Sequence, residues 1–144
     1  MNKTLPDKWI RKAVYTAINN IVVDGNTIPC YDTRVTSNII PDHYILMTTQ
    51  TNTVQKENKC ENFWQSDIVL DIITSYDSTG NPGSRLLADN IMDSVRNLTK
   101  SLTLDVACGL TIIFSTQNFP NDITTLTPNE TIFRKLMRLE LKIK

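Results

Sequence analysis

Apolar residues fall at Ile10, Ala13, Val14, Ala17, Ile18 and Ile21, with Lys8, Arg11, Lys12 and Asn19 between them. Steps of three and four residues put the apolar set on one stripe of an α-helix and most charges opposite it. Pro6 suits an early helix position, and Asp7 adds negative charge in the first turn, where the helix dipole favours it. Asn19 and Asn20 weaken the far end. A second stripe, Leu87, Ile91, Val95 and Leu98 with Ala88 and Met92 beside it, predicts a second helix. Ser84 is a candidate N-cap for it.

Between the helices the period changes to two. In "FWQSDIVLDIITSY", Phe63 to Tyr76, one parity holds Trp64, Ser66, Ile68, Leu70 and Ile72, and the other holds Phe63, Gln65, Asp67, Val69, Asp71 and Ile73. The first set is mostly apolar and is predicted to face a core; the mixed set faces water or a partner. Val69 and Ile73 hint that the mixed surface is partly covered. The C-terminal run "TIFRKLMRLELKIK" favours helix by propensity. It nevertheless alternates, with Phe133, Lys135, Met137, Leu139, Leu141 and Ile143 on one face and Ile132, Arg134, Leu136, Arg138, Glu140, Lys142 and Lys144 on the other. The alternation decides for a strand.

Shorter signals complete the order. Asp24-Gly25 between "IVV" and "NTIPCY" predicts a small β-hairpin. Pro29 has no N–H to donate, so its strand lies at an edge or is interrupted there. Pro41-Asp42 starts a strand with Tyr44 to Thr49 as its body. Gln55 to Asn62 is a polar loop or an exposed hairpin tip, and "DSTGNPGS", Asp77 to Ser84, is a turn. Cys108 to Thr116 is a further strand, and Gln117 to Asn129, polar and proline-bounded, is a loop. Helix, hairpin, strand, strand, helix, strand, strand predicts an α+β fold: a mainly antiparallel β-sheet with two amphipathic helices packed on one face. Without repeat or linker, the 144 residues read as one domain, 1–144.

Composition narrows the partners. Fifteen basic residues balance 15 acidic ones, so nothing in the total charge suggests wrapping nucleic acid or coating an anionic membrane. No apolar run approaches the roughly 18 residues of a membrane span. "MNKTLPDKWIRKAV" lacks the apolar core of a secretory signal. Cys30, Cys60 and Cys108 stand too far apart for a CxxC metal site or a disulfide scaffold. An odd number without a signal peptide fits a reducing cytosol and small buried side chains.

Candidate chemistry is sparse. His43 is the only histidine, and no local signature pairs it with a cysteine. Asp67 and Asp71 share a strand face with Asp77 beyond, an arrangement that can bind a divalent ion but more often is simply solvated. "DSTGNPGS" lacks the lysine and spacing of a P-loop. No aromatic-plus-basic cluster of an RNA-reading type is present. Phe119, in "TQNFPND", is a candidate anchor for a partner or a lid over the chain's own core. Arg134, Arg138, Lys142 and Lys144 form a basic stripe, able to meet a neighbour's acids or DNA phosphates or to serve as a solvated face. No catalytic, cofactor-binding or metal-binding residue emerges. "VDGNTIPCYD", Val23 to Asp32, reads as a turn and edge strand, with Cys30 and Asp32 not a catalytic pair.

These pieces in this order resemble the tail-terminator (tail-completion, head–tail joining) proteins of tailed bacteriophages. The likeness rests on the helix "WIRKAVYTAINNI" leading into "VVDGNTIPCYD", where members carry a short "IPVYD"-like strand. It continues through a "P-x-x-Y-I-x-L"-like strand (Pro41, Tyr44, Ile45, Leu46) and a long strand from Val69 to Thr74. A "G-x-x-x-A-x-x-x-x-x-x-V"-like helix follows from Gly83 to Val95, then the alternating strand Phe133 to Ile143. Each motif is weak alone; together they span nearly the whole chain. The Asn- and Thr-rich, Gly-poor composition resembles that of AT-rich phage genomes such as those of crAss-like phages of gut Bacteroidales.

The resemblance implies a non-enzymatic subunit without cofactors, in a closed ring at the tail end or portal–tail junction. The ring would be sixfold, or twelvefold where it follows a short-tailed phage's portal. Portal, adaptor and tail proteins would be its neighbours, and DNA would pass through the lumen without sequence-specific binding. Its location would be the virion neck or tail, after assembly in the host bacterial cytoplasm. Two segments, Thr48–Asn62 and Gln117–Asn129, exceed what a minimal member needs and leave room for contacts with other connector proteins. Expected interface residues are Lys56, Glu57 and Lys59 in the first, Phe119 and Asp122 in the second, and Arg134, Arg138 and Lys142 on the last strand. The rival reading is a small monomeric adaptor or inhibitor that binds a host protein. A hydrolase using Cys, His and Asp is disfavoured by their scattered positions.

Overall fold

A computed structural model describes residues 5–56, 62–80 and 83–144. Among these residues the order is α1 (Asp7–Ile18), β1 (Ile21–Val23), β2 (Asn26–Ile28), β3 (Cys30–Asp32), β4 (His43–Lys56), β5 (Asn62–Asp77), α2 (Leu86–Thr99), a 3-10 turn (Val106–Cys108), β6 (Ile112–Asn118), β7 (Asp122–Leu126) and β8 (Glu130–Ile143). The fold is α+β. Its main sheet runs β3-β4-β5-β8-β6, with β7 following β6 along the same side of β8. Among the described residues only the β3–β4 pair is parallel.

The N-terminal signals work as the residue chemistry requires. Pro6 sits at the N-cap of α1 and Asp7 in its first turn. Ile10, Val14 and Ile18 are buried; Asn20, at φ +57°, ends the helix, and Ile21 passes into β1 rather than extending the stripe. In the β1–β2 turn Asp24 and Gly25 both have positive φ, at +51° and +79°. Two left-handed residues give the turn whose twist matches a right-twisted hairpin. Pro29 then separates β2 from β3, so the small hairpin and the main sheet are distinct.

Helix α2 buries Ala88, Ile91, Met92, Val95 and Thr99. Its stripe is thus rotated from the expected one, and Leu98 stays exposed. The N-cap is Arg85, not Ser84; the Ser84 hydroxyl instead accepts from the Leu86 N–H at 3.3 Å. Gly83 precedes it at φ +67°, and a Cβ there would lie 2.3 Å from the Tyr76 ring, so both backbone and space require glycine.

Both helices pack on one face of the sheet. Ile45, Met47, Ile68, Leu70, Ile72, Met137, Leu139, Leu141 and Ile143 rise from that face into a core with the helix stripes. The two long strands therefore take the predicted registers. Three expectations are corrected. The strand expected from Cys108 begins only at Ile112, because Asp105 caps a 3-10 turn and Gly109, at φ +69°, reverses the chain. The loop expected over Gln117–Asn129 contains the end of β6 and all of β7, whose polar residues find backbone partners along β8. The strand expected to end near Thr49 runs on to Lys56, carried past a bulge at Thr48–Thr49 by its pairing with β5.

Candidate assembly surface

The sheet's second face carries no helix among the described residues. Strand alternation places on it Tyr44 and Leu46 of β4, Val69, Asp71 and Ile73 of β5, Ile123 of β7, and Ile132, Arg134, Leu136, Arg138, Glu140 and Lys142 of β8. Such a half-apolar, half-charged surface fits neither a dry core nor an ordinary solvated face.

Its centre is an ion pair. Asp71 is only 1% exposed. The Arg134 guanidinium donates to it through both Nη2 and Nε, the latter at 3.2 Å. That hydrogen bonding holds the Arg134 pKa above its ordinary value. Asp71 is therefore not the solvated carboxylate that an outer strand face suggested. Arg134 sits opposite Ile73, two residue pairs along from the Asp71–Leu136 pair and on the same face, so the two charges meet on the diagonal. Burial, together with the Asp71 charge, pushes the neighbouring Tyr44 hydroxyl's pKa up.

Farther along, the ammonium groups of Lys142 and Lys144 lie 4.7 Å and 5.9 Å from the centroid of the Phe63 ring. These are cation–π contacts that also bury the ring. Arg138 is exposed opposite Val69 and Asn118. Arg134, Arg138 and Lys142 thus share one face, as alternation requires, but each meets a different environment.

The remaining expected interface residues are dispersed. Phe119 is exposed in the link between β6 and β7. Asp122 accepts from Lys135 Nζ at 2.9 Å, and Lys135 also reaches Asp89 of α2 at 2.9 Å. Glu57 and Lys59 lie outside the described residues, as does Cys60; Lys56 closes the β4–β5 ladder opposite Asn62. Sequence reading missed β7 and the Asp71–Arg134 pair. The β-branched Ile123, Thr124 and Thr125 of "DITTL" were the available signal for the first; nothing local marks the second.

Catalytic candidates find little support. Cys30 is buried, and burial with the adjacent Asp32 charge pushes its thiol up to about 12, far from a reactive thiolate. Burial pulls the His43 pKa down, and its ring packs at a tilt of 52° against Tyr76, with centroids 5.3 Å apart. No group of three or more His, Cys, Asp or Glu suited to a metal occurs among the described residues. An open groove of about 500 Å³ between α1 and the 98–106 segment is lined by Trp9, Ala13, Leu98, Leu102 and Val106. The Lys12–Asp105 ion pair, at 2.7 Å, lies along it. No helix among the described residues is long and apolar enough to cross a membrane.

The geometry thus defines an α+β protein with one helix-covered sheet face and one open face. The chain matches no protein-family model and no curated protein. It is similar in fold to a chain in a solved structure described as the virion of a native gene transfer agent particle, with a TM-score of 0.60. Identity is 13%, and the match covers 94% of this chain and 96% of the other, so the likeness is one of whole-chain fold.

Proposed function

We propose that this chain is a structural, non-enzymatic component of a phage or phage-like virion, and specifically a subunit of a ring in the head–tail connector or at the tail end. The observation that carries this reading is the fold likeness, end to end in both chains, to a protein of a gene transfer agent virion. The ring agrees with the tail-terminator resemblance of the ordered motifs. The open sheet face supports it further, because its half-apolar surface suits contact with neighbouring virion proteins. In this reading DNA passes through the lumen without sequence-specific binding. Arg138, Phe119 and the charged sequence segment with Lys56, Glu57 and Lys59 meet adjoining subunits or rings.

The test is negative-stain microscopy of the purified protein over a concentration series, beside capture by the portal and tail proteins of the same particle. Rings with a central hole, or capture by a portal or tail complex, are expected. A persistent monomer that captures no virion protein overturns the reading in favour of a host-directed adaptor. Deleting Lys56 to Lys59 is expected to impair stacking of rings while the subunit still folds; a wild-type particle yield would remove this segment from the interface.

A further inference from the structure

The two side edges of the sheet are guarded at one end and bare at the other. Strand β8 sets the levels. Its first half pairs with β7 and with the second half of β5; its last residues, 138–143, pair with β6 and with the first half of β5. At the β7 end, the far side of the sheet is β3, only three residues long, preceded by Pro29 and ending on Asp32. β7 itself is five residues, begins with Asp122 and lies between Pro120 and Pro128. Short strands, charges and prolines are how natural edges avoid unwanted pairing.

At the other end these devices are missing. Beyond the bulge at Thr48–Thr49, β3 no longer covers β4, so Gln50 to Gln55 pair only with β5 among the described residues. On the opposite side Phe114 to Asn118 of β6 pair only with β8 among the described residues. Neither stretch contains a charge or a proline. Both lie at the same level of the sheet. β4 is antiparallel to β5, β5 to β8 and β8 to β6, so β4 and β6 run in opposite directions.

We infer that the Gln50–Gln55 edge of one copy pairs with the Phe114–Asn118 edge of a second copy, continuing the sheet between subunits. The occupant is a second copy because one molecule carries both halves of the joint. Set side by side in the same orientation, two copies bring these edges together antiparallel, without an axial step. A head-to-tail contact of this kind generates a ring when its rotation closes. The inference deepens the ring reading and rests on it.

The test uses the full chain with Cys60→Ser, since Cys30 and Cys108 are buried. Thr51→Cys or Thr53→Cys protein is mixed with Thr116→Cys or Asn118→Cys protein and oxidised gently. A disulfide-linked dimer between a β4 cysteine and a β6 cysteine is expected. Thr51→Lys and Thr116→Lys, each a guard of the kind these edges lack, are expected to weaken self-association at least tenfold, by sedimentation, with unchanged circular dichroism. A wild-type chain that assembles, while no pair cross-links and neither lysine matters, overturns the edge joint and leaves the ring standing on other contacts. A wild-type chain that neither assembles nor cross-links overturns the edge joint, and it overturns the ring reading as well when it captures no portal or tail protein.

Discussion

Strand β8 divides the molecule into two surfaces that obey different rules. On one side Met137, Leu139, Leu141 and Ile143 are at most 1% exposed beneath the helices. On the other, their immediate neighbours Leu136, Arg138, Glu140 and Lys142 are half-buried or exposed. The covered face stabilises by removing apolar area from water and by close packing, which tolerates little change. The open face holds itself by cross-strand pairs, a buried ion pair and cation–π contacts. Its exposed residues can therefore change without unfolding the chain, and a contact surface needs that freedom.

The sharpest way to break this contrast is to truncate one residue on each side of the same strand. Leu139→Ala leaves a cavity under the helices and is expected to lower stability by about 2–5 kcal/mol in urea unfolding. Arg138→Ala, one residue earlier, is expected to stay within about 0.5 kcal/mol of wild type. In the ring assay the order reverses: the Arg138 variant, if it still folds, loses association. Equal stability losses would mean that the open face is itself a core.

Next in size is the Asp71–Arg134 pair. Removing one partner of a fully buried pair costs about 3–5 kcal/mol, because the other charge is stranded. The Arg134 side chain is 39% exposed, so water relieves part of that penalty. Arg134→Ala is expected to destabilise by about 2 kcal/mol, less than Leu139→Ala. In a double-mutant cycle Asp71→Ala on top of Arg134→Ala is expected to cost less than Asp71→Ala alone. Strict additivity would show that the two residues act separately.

The same contrast explains what the sequence discloses. The covered face was legible because apolar burial writes a period into the chain: Ile10 to Ile18 at helical spacing, Ile68 to Ile72 and Met137 to Ile143 at alternation. The turn at Asp24-Gly25 was legible because its chemistry is local. β7 was not, since "DITTL" is set among polar and proline residues, and its partner is β8, reached through backbone bonds that leave no apolar signature. Asp71 and Arg134 are 63 residues apart, and their meeting depends on a register that only the folded sheet sets. Alternation grouped Arg134, Arg138 and Lys142 correctly, yet could not show that one is spent on an internal ion pair. Assembly surfaces suffer most from this, because they combine edges and loops that no single segment defines.

The smallest effect lies in β3. Cys30 is buried, with its N–H donating to Asn19 Oδ1 at 3.0 Å, and its thiol is pushed from 9.0 to about 12, mainly by burial. If it is only a packed side chain, Cys30→Ala costs about 1 kcal/mol at neutral pH and leaves ring formation intact. The thiol also predicts a pH signature. Between pH 9 and about 12 the unfolded chain has lost this proton and the folded chain keeps it. Stability therefore falls as pH rises through that window, and the thiol's contribution is fully present only below it. All other titratable groups are common to wild type and variant and cancel in the difference. The gap between the two chains should thus narrow from pH 9 upward. A constant gap would mean that Cys30 meets water, and loss of assembly in a normally folded Cys30→Ala chain would return this strand to the functional surface.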